Sequence, residues 1–250
     1  MKLTGNTIFI TGGGSGIGRG LAEALHALGN QVIISGRRAA FLDETTKANP
    51  GMTSVELNVE DPASVAEVAA KLAADYPKLN VLINNAGIMR TDDASAAVDE
   101  AVLVSTITTN LLGPIRMTSA LIEHLKTQES ATVINVTSGL AFTPLAMTAV
   151  YSATKAALHS YTLSKRFQLK GTSVRVLELV PPYVQTELMN GKDDPRAMPL
   201  KDFIAETMIA LGTDADEVLT DRVKMLRNNP GPNEHAFVDK FNEMMKEQRD

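Results

Sequence analysis

The chain contains no cysteine, which excludes disulfides, thiol nucleophiles and thiolate metal sites and is compatible with a reducing compartment. Histidine is scarce: His26, His124, His159 and His235 are scattered and none is spaced with carboxylates as a ligand set, so no metal is expected. Neither sign of charge dominates, since 24 basic against 29 acidic residues leave a formal charge of -5. That balance gives no footprint for nucleic acid or an anionic membrane surface. Long apolar runs are missing too. The opening Met1-Lys2-Leu3-Thr4-Gly5-Asn6 has no signal core, and no later stretch approaches a membrane span, so a soluble, cytoplasmic protein is expected. No Ser/Gly-rich linker or charge run divides the 250 residues, and 44% hydrophobic content can fill one core, so 1–250 reads as a single domain with a small-molecule partner.

What is present is an alternation. Short, β-branched apolar runs at 7–11, 31–35, 53–57, 80–83, 132–136 and 173–179 read as strands, with a short seventh at 217–219. Between them lie helical stretches at 17–28, from Ala39, after Asp61-Pro62 (Asp as cap, Pro in the first turn), within 97–125 as one helix or two, and at 151–169. Strands separated by helices cannot pair as hairpins. They form a parallel sheet with right-handed crossovers, a Rossmann-like doubly wound α/β fold of six to seven strands with helices on both faces. In such a sheet ligands bind beyond the carboxyl ends of the strands. The Gly12 turn, Arg37, Asn58, Asn84-Asn85-Ala86-Gly87, Ser138 and Pro181 all follow strand ends and should meet on one edge.

The first strand runs into Thr11-Gly12-Gly13-Gly14-Ser15-Gly16-Ile17-Gly18. Glycines at 12, 16 and 18 let backbone turn tightly and approach a pyrophosphate, with helix-start N–H groups facing its charge. The spacing G-x-x-x-G-x-G is weak evidence alone, and its place between strand and helix strengthens it. After the second strand stand Ser35-Gly36-Arg37-Arg38, with no carboxylate to take ribose hydroxyls. Guanidinium groups suit a ribose phosphate, so NADP(H) is expected, Arg37 the main contact and Arg38 second.

Tyr151 and Lys155 fall one helical turn apart, and Ser138 finishes the fifth strand. Each alone is better read as an ordinary structural residue; together, in order, they describe a proton-handling site. A carbonyl oxygen receiving hydride gains negative charge that a poised donor stabilises. A free phenol, with pKa about 10, is a sluggish base that a nearby ammonium should favour as phenolate.

This ordered series, with Asn110 and Pro181 to Thr186, resembles the short-chain dehydrogenase/reductase family in its single-domain form and spans most of the chain. The resemblance implies Ser138, Tyr151, Lys155 and Asn110 as the catalytic group, Asn110 holding a relay water through its backbone carbonyl and Lys155 gripping the nicotinamide ribose. It implies cofactor contacts from Gly12, Gly14, Ser15, Gly16, Ile17 and Gly18, from Arg37, Arg38, Asn58 and Val59, and from Asn85, Ala86 and Gly87. Tyr151, Lys155, Pro181, Val184 and Thr186 complete that set. Two positions depart from the family pattern. Asn58 stands where an Asp is common beside the adenine amine, and Pro182 replaces a Gly, a variant that resembles a bacterial subgroup.

Residues 139–150 are mostly apolar, a pocket wall for a hydrophobic carbonyl compound or alcohol, with Ser138, Leu140, Leu145, Tyr151 and Tyr183 as substrate contacts. Charges, prolines and a glycine mark a lid at about 187–213. A terminal helix at about 233–247 places Phe237, Phe241, Met244 and Met245 on one face, either docked on its own domain, in a subunit contact, or over a neighbour's pocket. Relatives are commonly built through the long helices near Asn110 and after Tyr151, which implies a homodimer or homotetramer. The rival expectation is a catalytically inactive NADP(H)-binding sensor of the same fold. Reduction of an activated double bond fits less well, because such relatives space Tyr and Lys more widely.

Overall fold

The computed structural model describes residues 1–247. In chain order the elements are β1 (Thr7–Thr11), α1 (Gly16–Ala27), β2 (Gln31–Gly36), α2 (Ala39–Ala48), β3 (Thr53–Glu56), α3 (Pro62–Asp75), β4 (Leu79–Asn84), α4 (Glu100–Ile107) and α5 (Gly113–Lys126). They continue with β5 (Ala131–Val136), α6 (Ala149–Gln168), β6 (Val174–Val180), α7 (Leu200–Leu211), β7 (Glu217–Leu219), α8 (Asp221–Arg227) and α9 (Glu234–Glu247). The seven strands form one sheet in the order β3-β2-β1-β4-β5-β6-β7. Every pairing in it is parallel. Each strand expected from the sequence is present, with ends shifted by at most one residue.

The pleat decides which residues go where. Ile8 and Ile10 of β1 join Ile34, Ile83, Leu177 and Leu179 under α1 and α7, while Phe9 joins Ile33, Leu82, Val133 and Val176 under α3 and α5. Both faces of the central strands are thus covered, which is why their sequences read as continuous apolar runs rather than alternating ones. Full burial of one such Ile or Leu contributes about 1.5–3 kcal/mol.

Two helical features set the site. The stretch that reads as one helix or two is a single continuous rod in which α4 passes through a π turn at Thr108–Leu112 into α5. The extra residue of that turn turns Asn110 inward. The span expected as a lid, 187–213, is divided. A short 3-10 turn occupies Leu188–Asp193, whereas α7 packs Phe203 and Leu211 into the core. Asp61 caps α3 through Ala63 N–H at 2.9 Å, as its sequence predicts. Among the described residues no helix is long and apolar enough to cross a membrane.

Candidate active site

Strand order reverses between β1 and β4, and the two strand ends are laced together there. Thr11 Oγ1 accepts from Asn85 N–H at 3.0 Å and Ala86 N–H at 3.1 Å, while Asn85 Nδ2 donates to Thr11 O at 3.0 Å and Gly12 O at 3.1 Å. The turn above this lacing needs glycine. Gly12 and Gly16 have φ of 68° and 52°, a left-handed region that side chains resist. A Cβ on Gly12 would stand 2.9 Å from Ala86 Cα. Gly18 differs from its expected role. It does not line the cavity but lets α1 press on the turn, where a Cβ would stand 2.2 Å from Gly12 O.

Gly12, Gly14, Ser15, Gly16 and Ile17 open onto a cavity of about 1040 Å³ that continues past Arg37, Arg38 and Val59, under Asn85, Ala86 and Gly87, to Ser138, Tyr151 and Lys155. Pro181, Tyr183, Val184 and Thr186 form its far wall, Val184 being bridged to Met198. The stretch from the glycine turn to Lys155 has the length, free backbone and cationic end that a dinucleotide requires. Arg37 Nη1 pairs with Glu60 Oε1 at 2.8 Å, and Arg38 lies 3.9 Å over the Phe41 ring. Asn58, expected near adenine, is turned elsewhere: its Oδ1 accepts from Glu60 N–H at 3.2 Å, and Leu57 and Val59 line the cavity instead.

The proton-handling group assembles on α6 and the end of β5. Tyr151 is only 6% exposed and has its phenol beside the Ser138 hydroxyl. Ser138 Oγ also accepts from Leu140 N–H at 3.1 Å. Lys155, 4% exposed, donates to Val136 O at 2.8 Å and places Nζ 5.6 Å from the Tyr151 ring centre. Burial pushes the Tyr151 phenol up to about 12, the Ser138 hydroxyl opposing it. Burial likewise lowers Lys155 to about 8 against the field of Glu178. Desolvation is the largest influence on the phenol, so in this structure burial favours its protonated form.

Asn110 has a structural task besides the one expected of its backbone carbonyl. Its side chain accepts from Ile88 N–H at 2.9 Å and donates to Ile88 O at 2.8 Å and Thr154 Oγ1 at 3.3 Å, tying the loop after β4 to α6. A second tie was invisible in sequence. Asp92 accepts from Ala149 N–H and Val150 N–H, both at 2.9 Å, capping the helix that carries Tyr151 and Lys155. A cap supplied from 57 residues upstream leaves no local signal.

The apolar loop divides its labour. Leu140, Leu145 and Met147 line the cavity, whereas Phe142 packs with Val180 and Val223. α9 turns Phe241, Met244 and Met245 into the same cavity, so the apolar face covers the site of its own chain. Asn242 secures it, donating to Pro144 O at 3.0 Å and accepting from Ala146 N–H at 2.5 Å. Phe237, on the same stripe, does not line the cavity. Further lining residues that sequence reasoning passed over are Met89, Arg90, Leu226, Asp194 and Arg196. Arg196 holds the Asp194 carboxyl well below its ordinary range, and Tyr183 Oη donates to Asp194 at 3.2 Å. Among the described residues no three His, Asp or Glu side chains gather as a metal site.

Known proteins share this arrangement. A model of the short chain dehydrogenase family matches residues 6–197. An uncharacterized oxidoreductase of Bacillus subtilis, DltE, is 39% identical over 234 residues, spanning 91% of this chain and 93% of its own. A short chain dehydrogenase of Burkholderia cenocepacia, solved in complex with NADP, has a TM-score of 0.85 at 28% identity, covering 96% of this chain and 98% of its own. A Burkholderia phymatum short chain dehydrogenase/reductase in complex with NAD has the same fold, with a TM-score of 0.81 at 20% identity over 92% of this chain and 94% of its own. The sheet order, the laced glycine turn and the family match over residues 6–197 converge: the chain belongs to the short-chain dehydrogenase family of oxidoreductases.

Proposed function

We propose that this oxidoreductase uses NADP(H) to reduce hydrophobic ketones or aldehydes and, in reverse, to oxidise the corresponding secondary alcohols. The observation that carries the reading is the juxtaposition of buried Tyr151 with Ser138 and Lys155 in one cavity with the glycine turn. Bound in that cavity, the nicotinamide supplies the hydride that no side chain can. The chain supplies the proton and the orientation. Tyr151 is protonated at neutral pH by a wide margin, which makes it an acid able to give its proton to the substrate oxygen as charge develops there. Ser138 Oγ would hold that oxygen, and Lys155 would grip the ribose hydroxyls.

Relatives of this fold have been solved with NADP and with NAD, so the chain's own residues decide the preference. Arg37 is exposed at the cavity rim, paired there with Glu60, and the end of β2 offers no carboxylate for ribose hydroxyls. The substrate end is apolar, walled by Leu140, Leu145 and Met147 below and by Phe241, Met244 and Met245 above. Residues 187–199 and α9 are the movable cover in this reading, α9 latched by Asn242. The reading includes a homo-oligomer, joined where Val104 of α4 and Leu163 and Phe167 of α6 leave apolar side chains exposed.

Tyr151→Phe should bind NADPH with unchanged affinity in a fluorescence titration while losing about 10²–10⁴-fold in turnover; wild-type turnover would remove the mechanism. If the unaltered protein turned over nothing in a broad ketone panel, the binding-only sensor would be the better reading. Arg37→Ala should raise the Kd for NADPH about tenfold or more, the worth of a charge-assisted bond, and leave that for NADH within about twofold. Equal weakening of both would place Arg37 outside phosphate recognition. Asn242→Ala should raise KM for bulky apolar ketones several-fold with little change for a small one, and an equal effect on both would refute the latch. Light scattering at assay concentration should give a multiple of the 26.8 kDa subunit mass, and a monomer would reject the oligomer.

A further inference from the structure

The run Val174-Arg175-Val176-Leu177-Glu178-Leu179-Val180 forms β6, and in the middle of it Glu178 is fully buried, 0% exposed. A carboxylate in that position needs partners, because desolvation disfavours its charged form. It has two. Thr137 Oγ1 donates to Oε1 at 2.7 Å, and His159 Nδ1 lies 2.8 Å from Oε2 and 3.0 Å from Oε1.

Both partners are neighbours of the proton-handling group. Thr137 stands between Val136, whose carbonyl accepts from Lys155, and Ser138. His159 follows Lys155 by one turn on the same face of α6. Lys155 itself has no carboxylate within ion-pair reach among the described residues, and its direct partner is the neutral Val136 carbonyl. The other charges around Glu178 are already matched. Arg227 of α8, whose guanidinium lies 4.5 Å over the Phe142 ring, feels the Glu178 charge and is held in a two-bond pair by Glu217 of β7 at 2.7 and 2.8 Å. Arg166 of α6 donates to Val176 O and to Asp216 O. The His159 ring meets Phe142 edge-on at 4.6 Å, which fixes its plane toward the carboxylate. Tyr151 is the remaining titratable group of α6 on this side. The Glu178 charge also reaches inward to Lys155, and its field there opposes the loss of that ammonium's charge on burial.

We propose that Glu178, fixed by Thr137 and His159, is a positioning residue that keeps Lys155 charged behind Ser138 and Tyr151. The inference rests on the oxidoreductase reading for its purpose, but not for its test. Lys155 is the only proton-handling group with a permanent need for charge, since a neutral amine both grips ribose hydroxyls less firmly and ceases to stabilise a forming phenolate. An uncharged amide at 178 would still accept from Thr137 and would leave the packing of β6 unchanged in volume.

The test is a pH titration of Lys155 by NMR in ligand-free protein carrying isotope-labelled lysine, its signal assigned by loss in Lys155→Arg. In the wild type the midpoint should lie near 8. Glu178→Gln should lower it by about one pH unit or more, a tenfold change in proton affinity, and Glu178→Asp should restore most of the shift. The alkaline limb of turnover should move down in pH with the NMR midpoint, which a purely structural role would not cause. A folded Glu178→Gln protein with the wild-type midpoint overturns the proposal. If that variant does not fold, the wild-type titration still decides, because Lys155 already neutral at pH 7 would mean that no charge is being held. The titration is read without substrate, so its outcome is distinct from failure of the reductase reading.

Discussion

Everything at the site depends on how closely the start of α1 can approach the ends of β1 and β4. Gly18 allows it: the hydrogen on its Cα sits where any Cβ would lie 2.2 Å from Gly12 O and 2.4 Å from Asn85 Nδ2. That contact lets Asn85 hold Gly12 O, and Thr11 Oγ1 hold the backbone after β4, so the turn and the Asn85-Ala86-Gly87 segment become one rigid floor. A floor fixed on the switch point of the sheet is also what orients Gly87, whose Cα lies close to both Asn110 and Lys155. The glycine turn and the proton-handling group are therefore parts of one construction rather than two sites that happen to be adjacent.

The chemistry of that construction comes from the balance between burial and charge. A Tyr and a Lys one turn apart on an exposed helix would titrate close to their ordinary values. Here both are almost completely buried, and each moves toward its neutral form, the phenol upward and the amine downward. Burial keeps the phenol loaded with its proton, and it would also discharge the lysine if nothing opposed it. The Ser138 hydroxyl moderates the first effect and the Glu178 field moderates the second. The same low-dielectric surroundings that unsettle these groups make their interactions with a developing oxyanion strong.

The fold and the catalytic core were legible because their signals are local. A β-branched run ended by glycine, an Asp-Pro helix start and a Tyr-Lys pair at one-turn spacing each carry their meaning within a few residues. Where the reading went astray, a residue's role was decided by something distant in sequence. Gly18 reads locally as part of the pyrophosphate turn, yet its place is set by packing against Asn85 and Gly12; Asn58 follows a strand end, yet its Oδ1 accepts from Glu60 N–H in its own turn. The charged span after Glu187 looked like a lid throughout, yet Phe203 and Leu211 give its second half an apolar face that α1 and the sheet absorb. Asp92, Glu178 and Asn242 gave no signal at all, because their partners lie 57, 19 to 41 and 96 to 98 positions away.

These distant ties share a direction. Asn110 binds the loop after β4 to Thr154, Asp92 binds that loop's continuation to the start of α6, and Glu178 binds β6 to His159. All three end on α6, on either side of Tyr151 and Lys155. A helix carrying two buried titratable groups gains little from them in stability, since each would prefer water to an apolar interior. It is held by caps and polar bonds from three other segments, and those bonds fix its rotation as well as its depth. An error of rotation would swing the phenol away from Ser138 while leaving the core intact. The α6 anchors thus serve alignment first, and stability only as far as alignment requires it.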